Sequence, residues 1–304
     1  SAASDVYKRQ LLSISIQIFA KMGGIPYALD RSIIRLDDLS NTSIAIMGLG
    51  ISAHPLNKRR GVGYVTLFDH NGVWNFMDSE VLSIDRQEDM SKKIARLLEN
   101  SIKKLLSISL KKNNILVIHY SGKEIGRMEE EAIRDAIQSA DSMNKFAAVY
   151  VLKIKDSDIV FGLQNGPHSS REGIPTWYPP IGTVIQLKPD VYVMATTGYF
   201  NLYEGTGRSM IKANINVGLP TIKIISRHRE VERLNRELNI NDKDLLSTVF
   251  AMCRLNYVAI SNPISKEPIT IRYSREIAWI TLRLVESRVD ISGLNRIRHV
   301  MWFL

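Results

Sequence analysis

Two apolar runs in this chain empty into polar turns, and the residues at those strand ends decide what chemistry is open to it. Ser43-Ile-Ala-Ile-Met-Gly-Leu-Gly-Ile-Ser-Ala-His-Pro55 and Asn114-Ile-Leu-Val-Ile-His-Tyr-Ser-Gly-Lys123 each read as a buried strand leading into a loop. In the fold these segments suggest, the two strand ends would each offer a carboxylate to a shared divalent metal, because a hard cation needs anionic oxygen ligands. Here the positions hold Gly50 and Ser121, which carry no charge. Other acids lie nearby: Asp69, Asp78, Glu80, Asp85 and Glu124. Hairpin turns and helix starts account for them, since carboxylates there accept hydrogen bonds from free backbone N–H groups. His54, His70 and His119 fall at a strand exit, in a turn and inside an apolar strand. Packing and solvent contact explain them without a metal.

Those strands need a scaffold large enough to hold them, and 304 residues at 45% hydrophobic supply one α/β core or a core plus a small partial domain. The 40 Lys and Arg against 31 Asp and Glu leave +9 and a pI near 9.5, a balance that suits a polyanionic partner. Cys253 is the only cysteine, which excludes an internal disulfide and a cysteine-rich zinc site and points to a reducing cytoplasm. No apolar stretch approaches the roughly 20 residues of a membrane span, and no secretory signal is present. Residues 1–10 lack an initiator Met and read as a non-native scar. The remaining chain then starts inside an apolar segment, as an N-terminally truncated protein would.

The spacing predicts a helix over 11–29 closed by Gly23 and Gly24, with Pro26 preventing its continuation. A strand follows at 43–51, then a hairpin of 63–69 and 73–77 turning at Asp69-His-Asn-Gly72. From Glu88 to Ser107 the positions Ile94, Leu97, Leu98, Ile102, Leu105 and Leu106 recur at helical spacing, with lysines on the other face. Next come strand 114–120, helix 128–141, strands 146–155 and 158–165, and a Gly/Pro-rich loop over 166–181. Strands near 183–187, 191–196 and 209–216 and helices near 241–256 and 274–288 complete the chain. Arg227, Arg229, Arg233 and Arg236, interspersed with Glu, read as a salt-bridged surface helix. The class is α/β, a mixed sheet flanked by helices.

The order of these elements, with several local spellings, resembles the Piwi domain of the Argonaute family, which has a ribonuclease H-like fold. Lys21-Met-Gly-Gly-Ile-Pro26 looks like the end of the family's MID domain, and Ile46 to Pro55 like its first catalytic strand. Arg86-Gln-Glu-Asp89 heads a long helix, and Ile115 to Gly122 looks like the second catalytic strand. Gly182-Thr-Val184 and Gly205-Thr-Gly-Arg208 resemble the family's strand starts. Leu246 to Tyr257 and Pro268 to Ala278 resemble its closing helix pair. The resemblance implies a MID remnant over 11–40 and a Piwi domain over 41–304. It places the family's four metal-ligand positions on Gly50, Glu88, Ser121 and Arg275, of which only Glu88 is acidic. A cation at Arg275 opposes metal binding.

The same resemblance implies a pocket for the 5′ phosphate of a guide strand. Lys21 matches a family lysine there, Gln17 stands one turn before it where relatives have a second basic residue, and the Leu304 carboxylate would help hold Mg2+. The apolar ending Val300-Met-Trp-Phe-Leu304 should tuck inward and carry that carboxylate with it. Thr206 and Arg208 have the spacing to face one phosphate, and Lys58, Arg59 and Arg60 sit on the loop after the first strand, where a duplex would run. Trp177 and Tyr178 could stack on a base. The expectation is a cytoplasmic, catalytically inactive Argonaute-like protein of prokaryotic defence. It would bind guide and target nucleic acid and signal to a separate effector protein. An endonuclease using displaced acids and a protein scaffold without nucleic acid stand as alternatives.

Overall fold

The computed structural model describes residues 2–26, 28–29, 42–53, 60–83, 87–109, 113–121, 127–140, 146–157, 179, 181–197, 221–234, 240–257 and 265–304. Helix α1 (Ala2–Lys21) starts earlier than the sequence suggests, so most of the segment set aside as a scar is helical. It ends at Lys21, short of the 29 expected but at the expected glycine pair. Gly23 takes a φ of 88°, its N–H donates to the Ala20 carbonyl, and the Gly24 N–H donates to the Phe19 carbonyl. This pair of bonds is a Schellman ending, which needs a residue free to adopt the left-handed conformation.

Strands β1 (Thr42–Ala53), β2 (Arg60–Asp69) and β3 (Trp74–Ser83) form an antiparallel meander. Asp69 shapes the turn: its Oδ1 accepts from the backbone N–H groups of Asn71 and Val73, both at 2.8 Å. Helix α2 (Gln87–Ile108), strand β4 (Asn113–Tyr120), helix α3 (Arg127–Ala140) and strand β5 (Phe146–Asp156) follow. β1, β4 and β5 run parallel. The sheet continues through β8 (Ile222–Arg227), β7 (Val191–Ala195) and β6 (Val184–Lys188), all antiparallel. The full order is β3-β2-β1-β4-β5-β8-β7-β6, and the short β9 (Arg233–Leu234) pairs with the start of β5. Helices α4 (Asp242–Met252) and α5 (Ile269–Glu286) and a 3-10 turn (Ser292–Arg296) close the chain.

Alternation along the central strands sorts their side chains into two cores. Met47, Leu49, Ile118 and Tyr120 pack under α2 and α3, whereas Ile44, Ile46, Ile115 and Val117 pack under α4 and α5. Cys253 is a core thiol, as expected, and burial pushes it up to about 12. Among the described residues no helix is long and apolar enough to cross a membrane. The residues expected to form strands at 158–165 and 209–216 and the loop over 166–178 lie outside the described set.

The arginine-rich stretch after 221 departs from expectation. It is strand, turn and strand rather than a surface helix, because Ile222, Ile225 and the aliphatic stems around them face the core. Arg227 is buried, with Nε and Nη2 on the Glu232 carboxylate at 2.7–3.0 Å and Nη1 on Asp242 at 2.5 Å. Arg229 pairs with Asp190 at 2.6 Å. Paired carboxylates are what permit a guanidinium inside.

His119 is fully buried on β4 between the two closing helices. Its Nδ1 lies 3.0 Å from Thr270 Oγ1 and its Nε2 2.9 Å from Thr248 Oγ1. Thr248 spends its own proton on the Leu245 carbonyl, so it accepts from Nε2–H, and Thr270 donates to Nδ1. The ring is neutral, and burial pushes its pKa down from 6.5 to about 3. The unfolded chain therefore takes up a proton that the folded chain refuses. His119's contribution is complete above its unfolded value and erodes as pH falls towards 3, by about 1.4 kcal/mol per pH unit. In urea titrations from pH 7 to pH 4, the stability advantage of the native protein over His119→Gln should shrink with that slope, other titrating groups cancelling between the two. A gap independent of pH would show that the native imidazole carries its proton.

Candidate functional site

β1 and β4 are in parallel register from Thr42–Asn113 to Leu49–Tyr120, so Gly50 and Ser121 are the next residues on neighbouring strands. Both belong to the face covered by α5. Gly48, two residues earlier, packs so closely there that a Cβ would lie 2.0 Å from the Thr270 carbonyl oxygen. A Cβ on Gly50 would lie 2.5 Å from Ser274 Oγ and 2.6 Å from the Arg275 backbone nitrogen. Backbone cannot yield as a flexible side chain can, so the strand end has no room for any substituent at position 50. Ser121 is buried beside it.

Arg275, on α5, is the third residue brought to this place. Its guanidinium grips the Glu267 carboxylate in a two-pronged pair, Nη1 to Oε2 at 3.1 Å and Nη2 to Oε1. Glu267 is thus already committed to a cation. Gly50, Ser121 and Arg275 together do not fit a divalent metal, which requires anionic ligands rather than a fixed positive charge. Glu88 lies in the first turn of α2, and its side chain is outside the described residues.

A second convergence joins the end of α1 to the end of the chain. Ala20 is fully buried in the cluster of Tyr64, Phe68, Trp74 and Tyr273, against which Trp302, Phe303 and Leu304 pack. A Cβ on Gly23 would meet Val300 at 3.4 Å. The tail therefore tucks inward as its composition suggests; Lys21 is exposed between Ala20 and Gly23, and Leu304 is half-buried. Gln17 is half-buried one turn earlier. Trp74 and Trp302, whose rings lie 5.6 and 6.1 Å from that of Phe303, each bury an indole N–H with no acceptor among the described residues. Buried donors without partners are costly and mark places able to take an acceptor.

An open cavity of about 610 Å³ links the two regions, lined by Ile51, Ser52, Arg275, Glu276, Trp279 and Phe303 among others. Trp279 stands half-exposed on α5 with the Arg283 guanidinium 5.4 Å from its ring centroid. Sequence reading passed over Trp279 and Trp302. A tryptophan one turn from Arg275 and Arg283 on an outward helix face was the available signal for the first; the second was legible only as part of the apolar, inward-tucking tail.

Lys58, Arg59, Thr206, Arg208, Trp177 and Tyr178 lie outside the described residues, as does the side chain of Arg60 at the start of β2. Glu130, His228 and Glu230 form a group whose ligand atoms lie within 4.8 Å of one another. Lys153 Nζ already bonds to Glu130 Oε1, and Tyr120 donates to the same oxygen at 3.1 Å. Burial pushes Glu130 upward, but the hydrogen bond and charge of Lys153 outweigh it and leave the pKa lowered. The cluster is a satisfied ion-pair network.

Sequence comparison finds no matching family model and no matching curated protein. Structure comparison does find matches. An A. aeolicus Argonaute with externally bound siRNA matches 97% of this chain at 20% identity and TM-score 0.53. Drosophila Piwi matches 96% at 14% identity and TM-score 0.55, and Kluyveromyces polysporus Argonaute with a guide RNA matches 96% at 12% identity and TM-score 0.56. This chain spans 34%, 35% and 34% of those proteins respectively, about a third of their length. The likeness is one of fold: the mixed, helix-flanked sheet is the ribonuclease H-like arrangement of an Argonaute Piwi domain.

The close approach of α5 to β1 generates a prediction about position 50. Gly50→Ala should destabilise the protein by about 3 kcal/mol, and Gly50→Asp should fail to give a stable folded protein, as read by chemical denaturation and circular dichroism. Ser121→Asp, at a position that already holds a Cβ, should cost less stability than Gly50→Asp. A stable Gly50→Asp protein would show that α5 can lift from the strand.

Proposed function

We propose that this protein binds guide and target nucleic acid without cutting it. The observation that carries the reading is the packing at Gly50, where α5 backbone occupies the space a metal-binding carboxylate would need. Ser121 and the Glu267-paired Arg275 support it, since neither adds negative charge at the strand ends. The +9 net charge supports a polyanionic ligand, and two of the neighbours in fold are described with RNA bound.

The packing of the α1 end, through Ala20 and Gly23, against the tucked tail supports a site for a strand's 5′ phosphate. Lys21 would supply a positive charge and the Trp302 indole a donor that has no partner among the described residues; a chain ending at Leu304 would add its carboxylate as one ligand for Mg2+, with the remaining ligands coming from phosphate and water. Bound nucleic acid would then be read by a separate effector protein in prokaryotic defence, in the cytoplasm.

Two measurements test this. With magnesium or manganese, the full-length protein should leave guide-matched RNA and DNA intact. Cleavage opposite the guide, lost in Glu88→Ala, would overturn the non-cleaving reading. In filter binding across a salt series, strands bearing a 5′ phosphate should bind more tightly than 5′-hydroxyl strands. Lys21→Ala should remove most of that difference and lower the salt slope by about 0.7 for a single strand. Equal affinity for both strand types, unchanged by Lys21→Ala, would rule out the pocket. Negligible affinity even at low salt would favour a protein scaffold.

A further inference from the structure

β6 is the outer strand of the sheet among the described residues, with β7 on one side and no described strand on the other. All five of its residues are exposed, and three are large and apolar: Val184 at 38%, Ile185 at 38% and Leu187 at 50%. Exposed apolar edges are a liability that proteins blunt with charge, proline or bulges. Here a register shift at Leu187 and the charge of Lys188 guard only the far end. On one face α4 stops short of the strand, leaving an open cavity of about 670 Å³ lined by Val184, Gln186, Met194, Leu246 and Phe250.

The ladder sets which backbone groups are free. Ala195 N–H donates to the Thr183 carbonyl at 3.0 Å. Bonded pairs in an antiparallel ladder recur at every second residue, so Ile185 and Val193 form the next one. Val184 and Gln186 therefore aim their N–H and C=O groups away from β7.

We propose that this edge pairs with the same edge of a second copy of the chain, antiparallel and two-fold symmetric about Ile185. In that register Val184 of each copy faces Gln186 of the other, and the outward groups of these residues exchange four hydrogen bonds. Ile185 meets its own counterpart at the close, non-bonded position, where β-branched pairs are favourable. Thr183 faces Leu187. No charged residue lies between 183 and 187, and Lys188 falls opposite Gly182 rather than opposite itself. An edge that is uncharged over this span suits a like strand better than a polyanion. In this two-fold register no like charges meet and every outward backbone group of Val184 and Gln186 is paired, so a second copy fits the edge. Five residues a side make a small interface, so the association should be weak and reversible.

Sedimentation of the full-length protein from about 1 µM to about 200 µM should reveal a monomer–dimer equilibrium in that range. Gln186→Pro removes an outward N–H without breaking the bonds to β7, and proline is tolerated at such edge positions. It should weaken dimerisation at least tenfold while leaving thermal unfolding of the monomer close to native. Ile185→Lys, a change at an exposed side chain, should do the same by placing like charges together at the symmetry axis. A protein that stays monomeric at every concentration overturns the proposal, as does a dimer that both variants leave intact. A chain that is monomeric alone and assembles only with a different protein overturns it too.

Discussion

A neutral imidazole holds the closing helices to the centre of the sheet. His119 lies on β4, one of the parallel middle strands, and reaches Thr248 on α4 with one nitrogen and Thr270 on α5 with the other. The geometry works in one protonation state and one tautomer, because Thr248 has already given its proton to Leu245. Thr270 is also engaged through its backbone, its carbonyl accepting from Thr66 Oγ1 on β2 at 2.9 Å. The alignment of two strands, β2 and β4, thus passes through one threonine at the start of α5. The seating of α5 on Gly48 and Gly50, and with it the position of Arg275, follows from that anchor.

Charge is organised differently on the two sides of the molecule. In the β7-β8-α4 region, cations are spent on structure: Arg227 on Glu232 and Asp242, Arg229 on Asp190, and the nearly buried Lys223 on Asp156. Asp242 is held below the usual carboxylate range. Its partial burial pushes the other way, and the hydrogen bonds from Tyr192 and Arg227 outweigh it. Tyr192 is correspondingly raised to about 12, first by burial and then by the carboxylate it bonds. Three cations there face four carboxylates, so these pairs add no positive charge and the +9 excess rests on the remaining lysines and arginines, among them the exposed Lys21. Attraction to a polyanion is a property of those residues and not of the arginine-rich stretch that looks most basic in the sequence.

Much of this was legible beforehand where the code is local. The period of Ile94, Leu97, Leu98 and Ile102 placed α2 within a residue or so at either end, Gly23 and Gly24 ended α1, and Asp69 marked the hairpin turn. The inward tail followed from its composition. The misreading of the stretch holding Arg227, Arg229 and Arg233 (Arg236 lies outside the described residues) arose because arginines alternating with glutamates mimic a solvated helix, whereas the partners Asp190 and Asp242 are distant in sequence and could not be foreseen. For the candidate site, the identities at 50, 121 and 275 were visible as letters, but not the reason they belong together. That reason is a backbone-to-backbone approach between residues more than 200 positions apart, which leaves no periodicity to read. The indoles of Trp74 and Trp302, without partners among the described residues, were likewise invisible, since a missing partner has no sequence signature.

The glycines under α5 bear on how this position can vary among related chains. Any substitution at Gly48 or Gly50 has to displace the Thr270 carbonyl or the Ser274–Arg275 peptide before the new side chain can exist at all. A lineage that settled α5 at this depth would be held there, because an acid introduced by a single codon change would cost the fold before it could offer a ligand. Invariance at position 50 across such a lineage would record steric confinement. It would carry no information about whether ancestors of the chain ever cut nucleic acid, and an alignment read for catalytic signatures would mistake a packing constraint for a functional one.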